Sequence, residues 1–390
     1  MSSYDFYVEL GGESKKDLNA LLNEVEALVN GNHRSCSIPD IATRIRLLAG
    51  VAVNASIALE NERDQEKVKN YTVSGDRKAG GGYKSLVHRK NNPEESPYAK
   101  DLIQTNFEVM QGLGLFSDVR DLYSLPPGSW FLQFTFALAK PWMSKDDDPF
   151  YVAESVNPVR KDKVFKVPMM SAASWKGLLR WTAMHIRLAQ KKDSLKPEQF
   201  ARERFVQTLL FGDEKGEEPG QTKDFAAYLD GLKPEARAEY EHLLRNYYHV
   251  KSDEPLPHHS GRLTFYPTFF NLIDVEVINP HSRKTKAGTH PIYLECVPAG
   301  ATGTFSLLYV PFDLIGQKEE DEIKQQALAD LQLVAEGLQA MFLTYGFSAK
   351  RSSGYGTAKD EIEGKVKTRA CEKPLTKLSQ LAQEVKDVTF

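Results

Sequence analysis

The stretch from Val167 to Arg180, V-P-M-M-S-A-A-S-W-K-G-L-L-R, limits the possible folds more than any other part of the chain. An extended entry closed by Pro168 meets a helix whose first turns carry Ser171, Ser174, Lys176 and Gly177. Leu178, Leu179, Ala183, Ile186 and Leu188 then recur at roughly helical spacing, which predicts one buried face. Either serine can serve as the N-cap, its oxygen accepting a bond from an orphan backbone N–H of the first turn. A helix opening on small residues, with a lysine close behind, offers N–H groups and positive charge to a phosphate. An ordinary capped helix reads the same way.

The 390 residues suffice for two domains, or for one core with large insertions. With 41% hydrophobic and 26% charged residues, a globular protein with ample core is expected. A formal net charge of −3 argues against coating nucleic acid through bulk charge, though not against a local basic groove. Cys36, Cys296 and Cys371 lie far apart with no C-x-x-C pair, so neither a disulfide framework nor a cysteine zinc site is expected. The opening M-S-S-Y-D-F-Y lacks a basic segment followed by an apolar run. The apolar stretch Leu47 to Leu59, broken by Asn54 and Ser56, is short of the ~20 residues of a membrane span. The expectation is a cytoplasmic, reduced, soluble protein with no membrane partner.

Residues 1–125 read as a mainly helical extension, with helices over Asp17 to Leu28 and Ile41 to Asn61. Between Ser74 and Lys90 a glycine-rich basic loop (Arg77, Lys78, Lys84, Arg89, Lys90) fits either an RNA backbone or solvent. At Pro126-Pro127-Gly128 the character changes. Trp130, Leu132, Phe134, Phe136 and Leu138 alternate with smaller or more polar neighbours, which predicts a half-buried strand opening a core, 126–190. Residues 191–260 form a charged helical insertion with enough leucine and tyrosine for a satellite cluster. The core resumes over 261–366. It holds a strand at G-R-L-T-F and a hairpin over 273–297 whose tip carries His281, Arg283, Lys284 and Lys286. A strand over Thr302 to Val310 follows, then an amphipathic helix over Glu322 to Thr344, the glycine loop 346–356 and a last strand over Tyr355 to Ile362. Residues 367–390 read as a charged, weakly helical tail.

Without its insertions the core runs strand, helix, strand, strand, helix, strand. That order predicts an α+β, ferredoxin-like (RRM-like) fold with two helices on one face of an antiparallel sheet. The aromatic K/R-G-F-G-F-V signature of an RNA-recognition motif is missing, so any RNA is expected to be held by loops.

Several motifs in fixed order resemble the RAMP (repeat-associated mysterious protein) superfamily of CRISPR-associated proteins. They are N-P-V-R-K-D at Asn157, S-A-A-S-W-K-G-L-L-R, G-R-L-T-F at Gly261, the basic hairpin, V-P-A-G-A at Val297 and S-S-G-Y-G at Ser352. Within the superfamily the likeness is to the Cas-seven group that forms the backbone of type III effector complexes, and to the insertion-containing subunit of a type III-D-like complex. The resemblance implies a subunit that grips CRISPR RNA and contributes to target-RNA capture beside neighbouring RAMP subunits, the hairpin acting as a thumb between RNA segments. The implied RNA-binding residues are Ser171, Ser174, Lys176, Gly177, Arg180, His281, Arg283, Lys284, Lys286, Lys350, Arg351, Ser352, Ser353, Gly354 and Tyr355. Trp175 reads as core, whereas Arg180 suits either RNA or a carboxylate.

For catalysis the match fails. Target-cleaving relatives carry an aspartate immediately before the x-P-V segment, where this chain has Val156. Glu154 is two residues away, about 6–7 Å along an extended chain. Asp146, Asp147 and Asp148 offer an acidic cluster that can hold Mg²⁺ for an endoribonuclease, or simply be solvated. No intrinsic cofactor is expected, and the enzyme reading leans to no. Metal-independent cleavage through His281 or His88, and a protein–protein adaptor in the same complex, are the remaining alternatives. His185 reads as structural. His258-His259 lacks zinc spacing, and neither H-E-x-x-H nor a phosphate-binding G-x-x-x-x-G-K-[ST] occurs.

Overall fold

The computed structural model describes residues 17–33, 36–74, 81–89, 92–118, 121–145, 156–214, 217–218, 221–222, 224–279 and 292–390. Asp17 accepts the amide of Ala20 at 2.8 Å and opens α1 (Leu18–Val29); Asp40 accepts that of Thr43 at 2.7 Å and opens α2 (Ile41–Ala58). Each carboxylate satisfies an orphan N–H of a first turn. α3 (Glu62–Ser74), α4 (Gly82–Val87) and α5 (Thr105–Gly112) complete the block, α5 continuing a π-turn over Tyr98–Gln104. Leu21, Val25 and Leu28 on α1, and Ile41, Ile45, Leu48, Val51 and Ala55 on α2, are buried at helical spacing. By length and composition α2 is comparable to a membrane span, but this face packs into the hydrophobic core as a core helix does.

β1 (Trp130–Leu138) is the centre of the molecule. Its Trp130, Leu132, Phe134, Phe136 and Leu138 are all buried, while Thr135 on the opposite face is exposed. After it come α6 (Ala172–Met184), the insertion helices α7 (Pro197–Phe211), α8 (Asp224–Leu232) and α9 (Arg237–Tyr248), and then β2 (Leu263–Phe265). β3 (Asp274–Ile278) and β4 (Ile292–Cys296) form a hairpin stem, and β5 (Thr302–Tyr309), α10 (Glu320–Ala340), β6 (Ala358–Lys367) and β7 (Glu372–Lys377) follow. The main sheet is antiparallel in the order β7-β6-β1-β5-β2. Without β7 this is the ferredoxin-like order of fourth, first, third and second strands.

α6 and α10 cover one face. Trp175 of α6 packs against Phe305 and Phe342 at ring-centroid distances of 5.0 and 5.4 Å, and its indole donates to Thr268 Oγ1 at 3.0 Å. It is a core residue, as expected. Gly337 lets α10 come this close, because a Cβ there would meet Leu179 Cδ1 at 3.0 Å.

The C-terminal segment departs from expectation. The last core strand runs to Lys367, and the charged tail adds β7, burying Leu375, Leu378, Leu381, Val385 and Val388. Lysines interrupt these apolar residues in sequence; Leu375 lies on the strand paired with β6, and the others lie on the turns that follow, all joining the main core.

The N-terminal block shares the hydrophobic core with the sheet. Tyr83 donates to Glu295 on β4, and His88 Nδ1 meets Asp274 on β3 at 2.6 Å. Glu295 also takes Lys161, an ion pair enclosed on all sides. The insertion has its own cluster around Phe200, Leu229, Tyr240 and Leu244. It is anchored where G-R-L-T-F begins. Arg262 pairs with Asp313 and with buried Asp330 (2.7 and 2.9 Å), and Tyr309 donates to Asp330 at 2.7 Å. A Cβ at Gly261 (φ +79°) would lie 2.5 Å from Gly212 N, so this motif glycine seals the insertion against the core.

Candidate nucleic-acid interface

Of the two candidate caps, Ser171 is the one used. It accepts the amide of Ser174 at 3.3 Å, and the two hydroxyl oxygens lie 2.9 Å apart. Ser171, Ser174 and Gly177 recur every three residues, so they form one stripe along the start of α6. This stripe walls a groove of about 560 Å³.

Two further segments close the groove. In the first, Lys145 bridges to Val159, and the Arg160 amide donates to Ser144 O at 2.9 Å, which brings Lys145 and Arg160 to the rim. In the second, the glycine loop is fastened to residues 141–143. The amides of Gly356 and Ala349 donate to the carbonyls of Pro141 and Met143, each at 2.8 Å, and Ser348 Oγ accepts the Met143 amide at 2.8 Å. Gly356 has φ +70°, and a Cβ there would sit 2.3 Å from Ser348 Cβ, so only glycine allows this closure. Lys350 holds φ +60°, a left-handed conformation costing roughly 1–2 kcal/mol in a non-glycine residue, and it opens the 3₁₀ turn Arg351–Ser353.

Lys145, Arg160, Lys350 and Arg351 thus meet around a lining that contains serines and, among the described residues, no carboxylate. Arg160 and Lys350 are exposed and have no carboxylate partner among the described residues. Gly177 is exposed with nothing within 4 Å of a Cβ position. Glycine inside a helix costs about 1 kcal/mol relative to alanine, and no packing neighbour asks for it here. What it provides is clearance above the helix surface.

Other expected residues lie elsewhere. Arg180 donates to the carbonyls of Asp213 (2.7 Å) and Gly212 (3.0 Å) just past the end of α7, and lies over Phe225 at 5.1 Å. It joins the insertion to α6 instead of facing the groove. Lys176, one turn before Arg180, shares that side. Burial, then the Arg180 charge, lowers its pKa against the pull of Asp213. Ser352, Ser353 and Gly354 are exposed on the turn beyond the groove lining, and the Tyr355 hydroxyl donates to Glu276 on β3 at 3.3 Å. His281, Arg283, Lys284 and Lys286 lie outside the described residues, as do Asp146, Asp147 and Asp148. The stem below that tip pairs in register from Asp274↔Cys296 to Ile278↔Ile292. Val156 pairs with Tyr293 in a short parallel bridge to β4. Among the described residues no three His, Cys, Asp or Glu side chains gather as a metal site.

Lys145 and Arg160 are groove residues that were not among the expected RNA-binding ones. A signal for Arg160 was present. In an extended segment successive side chains point to opposite sides, so in R-K one cation goes inward and one outward. Lys161 is the inward one, on Glu295. The opposite face of the sheet is a poorer RNA platform. Residues 107–118 lie across it, with Gln133 Nε2 donating to Ser117 O at 2.7 Å. The cavity of about 570 Å³ left there is lined by Phe107, Phe116 and Asp118 and, among the described residues, by no cation.

A family model, that of the RAMP superfamily, matches residues 149–359, more than half of the chain. The chain belongs to the RAMP superfamily. The RAMP match spans the α6 stripe, Arg160 and the glycine loop, and leaves the N-terminal block outside. Similar solved structures include a chain of the type III-B Cmr-beta complex bound to cognate target RNA. It is 13% identical, covering 89% of this chain and 99% of that one, with a TM-score of 0.37. A chain of the Csm3-Csm4 subcomplex of a type III-A CRISPR-Cas interference complex is 13% identical, covering 67% and 97%, with a TM-score of 0.31. A chain of a CRISPR RNA-guided surveillance complex is 14% identical, covering 60% and 68%, with a TM-score of 0.32. No curated protein matches the chain.

Proposed function

We propose that this RAMP protein is an RNA-binding backbone subunit of a cytoplasmic CRISPR type III effector, holding CRISPR RNA by its sugar–phosphate chain and contributing to target-RNA capture. The observation that carries the reading is the convergence of Lys145, Arg160, Lys350 and Arg351 on one groove whose lining, among the described residues, holds no carboxylate, beside a helix opening stripped to serine and glycine. Clustered cations attract phosphates irrespective of sequence, which a guide-holding subunit requires. Neighbouring RAMP subunits are its expected partners. Val156 at the position of the family's cleaving aspartate supports a subunit that does not cut.

Native mass spectrometry of the assembled complex, with sequencing of the bound RNA, tests the reading. The expected result is CRISPR RNA copurifying with this chain, which an adaptor role does not predict; a complex assembled without RNA contact to this chain would overturn it. In the same complex an Asp146/Asp147/Asp148→Ala variant is expected to keep every Mg²⁺-dependent cut. Loss of one cut would assign that cut to this subunit.

A further inference from the structure

One end of the groove is finished by an aromatic stack that phosphate binding does not itself require. Trp181 lies on α6 one turn after Gly177. The His185 imidazole is stacked on its indole (centroids 5.0 Å, planes 7° apart), and Tyr345 meets both rings edge-on at 5.4 and 5.2 Å. Gln190 Nε2 donates to the Tyr345 hydroxyl at 3.0 Å. The Arg351 guanidinium lies over the indole, its Cζ 4.6 Å from the ring centroid. Arg351 lines the groove and Trp181 does not, so the guanidinium is the layer between indole and groove.

Arg180 lies over Phe225 but spends its N–H groups on backbone carbonyls, and three further arginines are held by carboxylates. Arg187 is pinned by Glu203 and Glu336, Arg204 by Glu214, and Arg262 by Asp313 and Asp330. A carboxylate fixes a guanidinium but neutralises its charge and occupies its donor edge. An aromatic face fixes the plane and leaves both available. Arg351 has no carboxylate partner among the described residues.

We propose that Trp181 is a positioning residue for RNA: it holds Arg351 flat at the end of the groove with its charge and N–H edge presented to a phosphodiester. The role rests on the RNA reading above. It makes the aromatic stack part of the binding apparatus, acting through Arg351 alone.

A double-mutant cycle on the full-length chain tests it, with fluorescence anisotropy of a mixed-sequence single-stranded RNA as the readout. Trp181→Leu is expected to weaken binding about 2–5-fold, the size of an exposed cation–π contact. In an Arg351→Ala background the same change is expected to cost nothing, and Trp181→Phe to retain most of the affinity. Equal losses in both backgrounds would show a merely structural indole and overturn the proposal. Trp181→Phe keeps the test decisive if the leucine variant unfolds, because it too must lose its small effect without Arg351. Arg160→Ala separates the two levels. If it leaves affinity and salt dependence untouched, the RNA groove fails and the positioning role with it. If it weakens binding while the cycle shows no coupling, only the positioning role falls.

Discussion

Replacing Arg160, Lys350 and Arg351 together by alanine should flatten the salt dependence of RNA binding by a predictable amount. All three line the groove, and none has a carboxylate partner among the described residues that the substitution would orphan. Each phosphate neutralised on a single strand contributes about 0.7 to the slope of log affinity against log salt, so three contacts account for roughly 2 units. Between about 50 and 200 mM salt the wild type should therefore lose roughly 20-fold more affinity than the variant. Anisotropy titrations of a labelled single-stranded RNA across that range measure both slopes. Lys176→Ala is the internal control, because Lys176 does not line the groove and should leave the slope unchanged. Parallel slopes for wild type and triple variant, with circular dichroism showing both folded, would refute the phosphate groove. A slope change confined to Lys176→Ala would place the RNA on the insertion side of α6.

Gly177→Ala should raise helix stability by about 0.5–1 kcal/mol, since nothing lies within 4 Å of the new methyl, while Gly177→Leu weakens RNA binding; thermal melts and anisotropy report the two effects, and unimpaired binding by the leucine variant would remove the clearance role. Arg262→Ala leaves Asp330 buried and unpaired and should cost about 3–5 kcal/mol in denaturant unfolding; a loss under about 1 kcal/mol would mean that the network matters little. Burial pushes the Asp313 carboxyl up, but its bonds from Arg262 and Tyr247 outweigh this and hold it below the ordinary range. Its stabilisation is thus complete above pH ~3.9 and lost as pH falls through the lower folded value, so wild type should lose stability in acid that Asp313→Asn does not. Identical acid limbs of the two stability curves would count against that pairing.

Much of the fold was legible because its signals are local. Alternation over Trp130–Leu138 marked the central strand, and apolar residues at helical spacing over Asp17–Leu28 and Ile41–Asn61 marked the first helices. The serine–glycine stripe of α6 and the cations at 350 and 351 were likewise singled out in the sequence, and they line one groove. The sides of α6 were not. Lys176 and Arg180 look as suited to RNA as Ser174 until the insertion returns Gly212 and Asp213 beside them, and backbone carbonyls then take the guanidinium. The tail misled for a related reason, its scattered apolar residues coming together only where they join the main core.

By itself the sequence determined which residues alternate, cap and turn, and which family pattern they follow, since spacing along a chain sets side-chain direction within each element. Only the tertiary structure decided which cations share a groove. Lys145, Arg160 and Lys350 are separated by up to 205 residues. They meet because backbone bonds clip the glycine loop onto residues 141–143, and an electrostatic site depends on distance through space, which spacing along the chain does not encode.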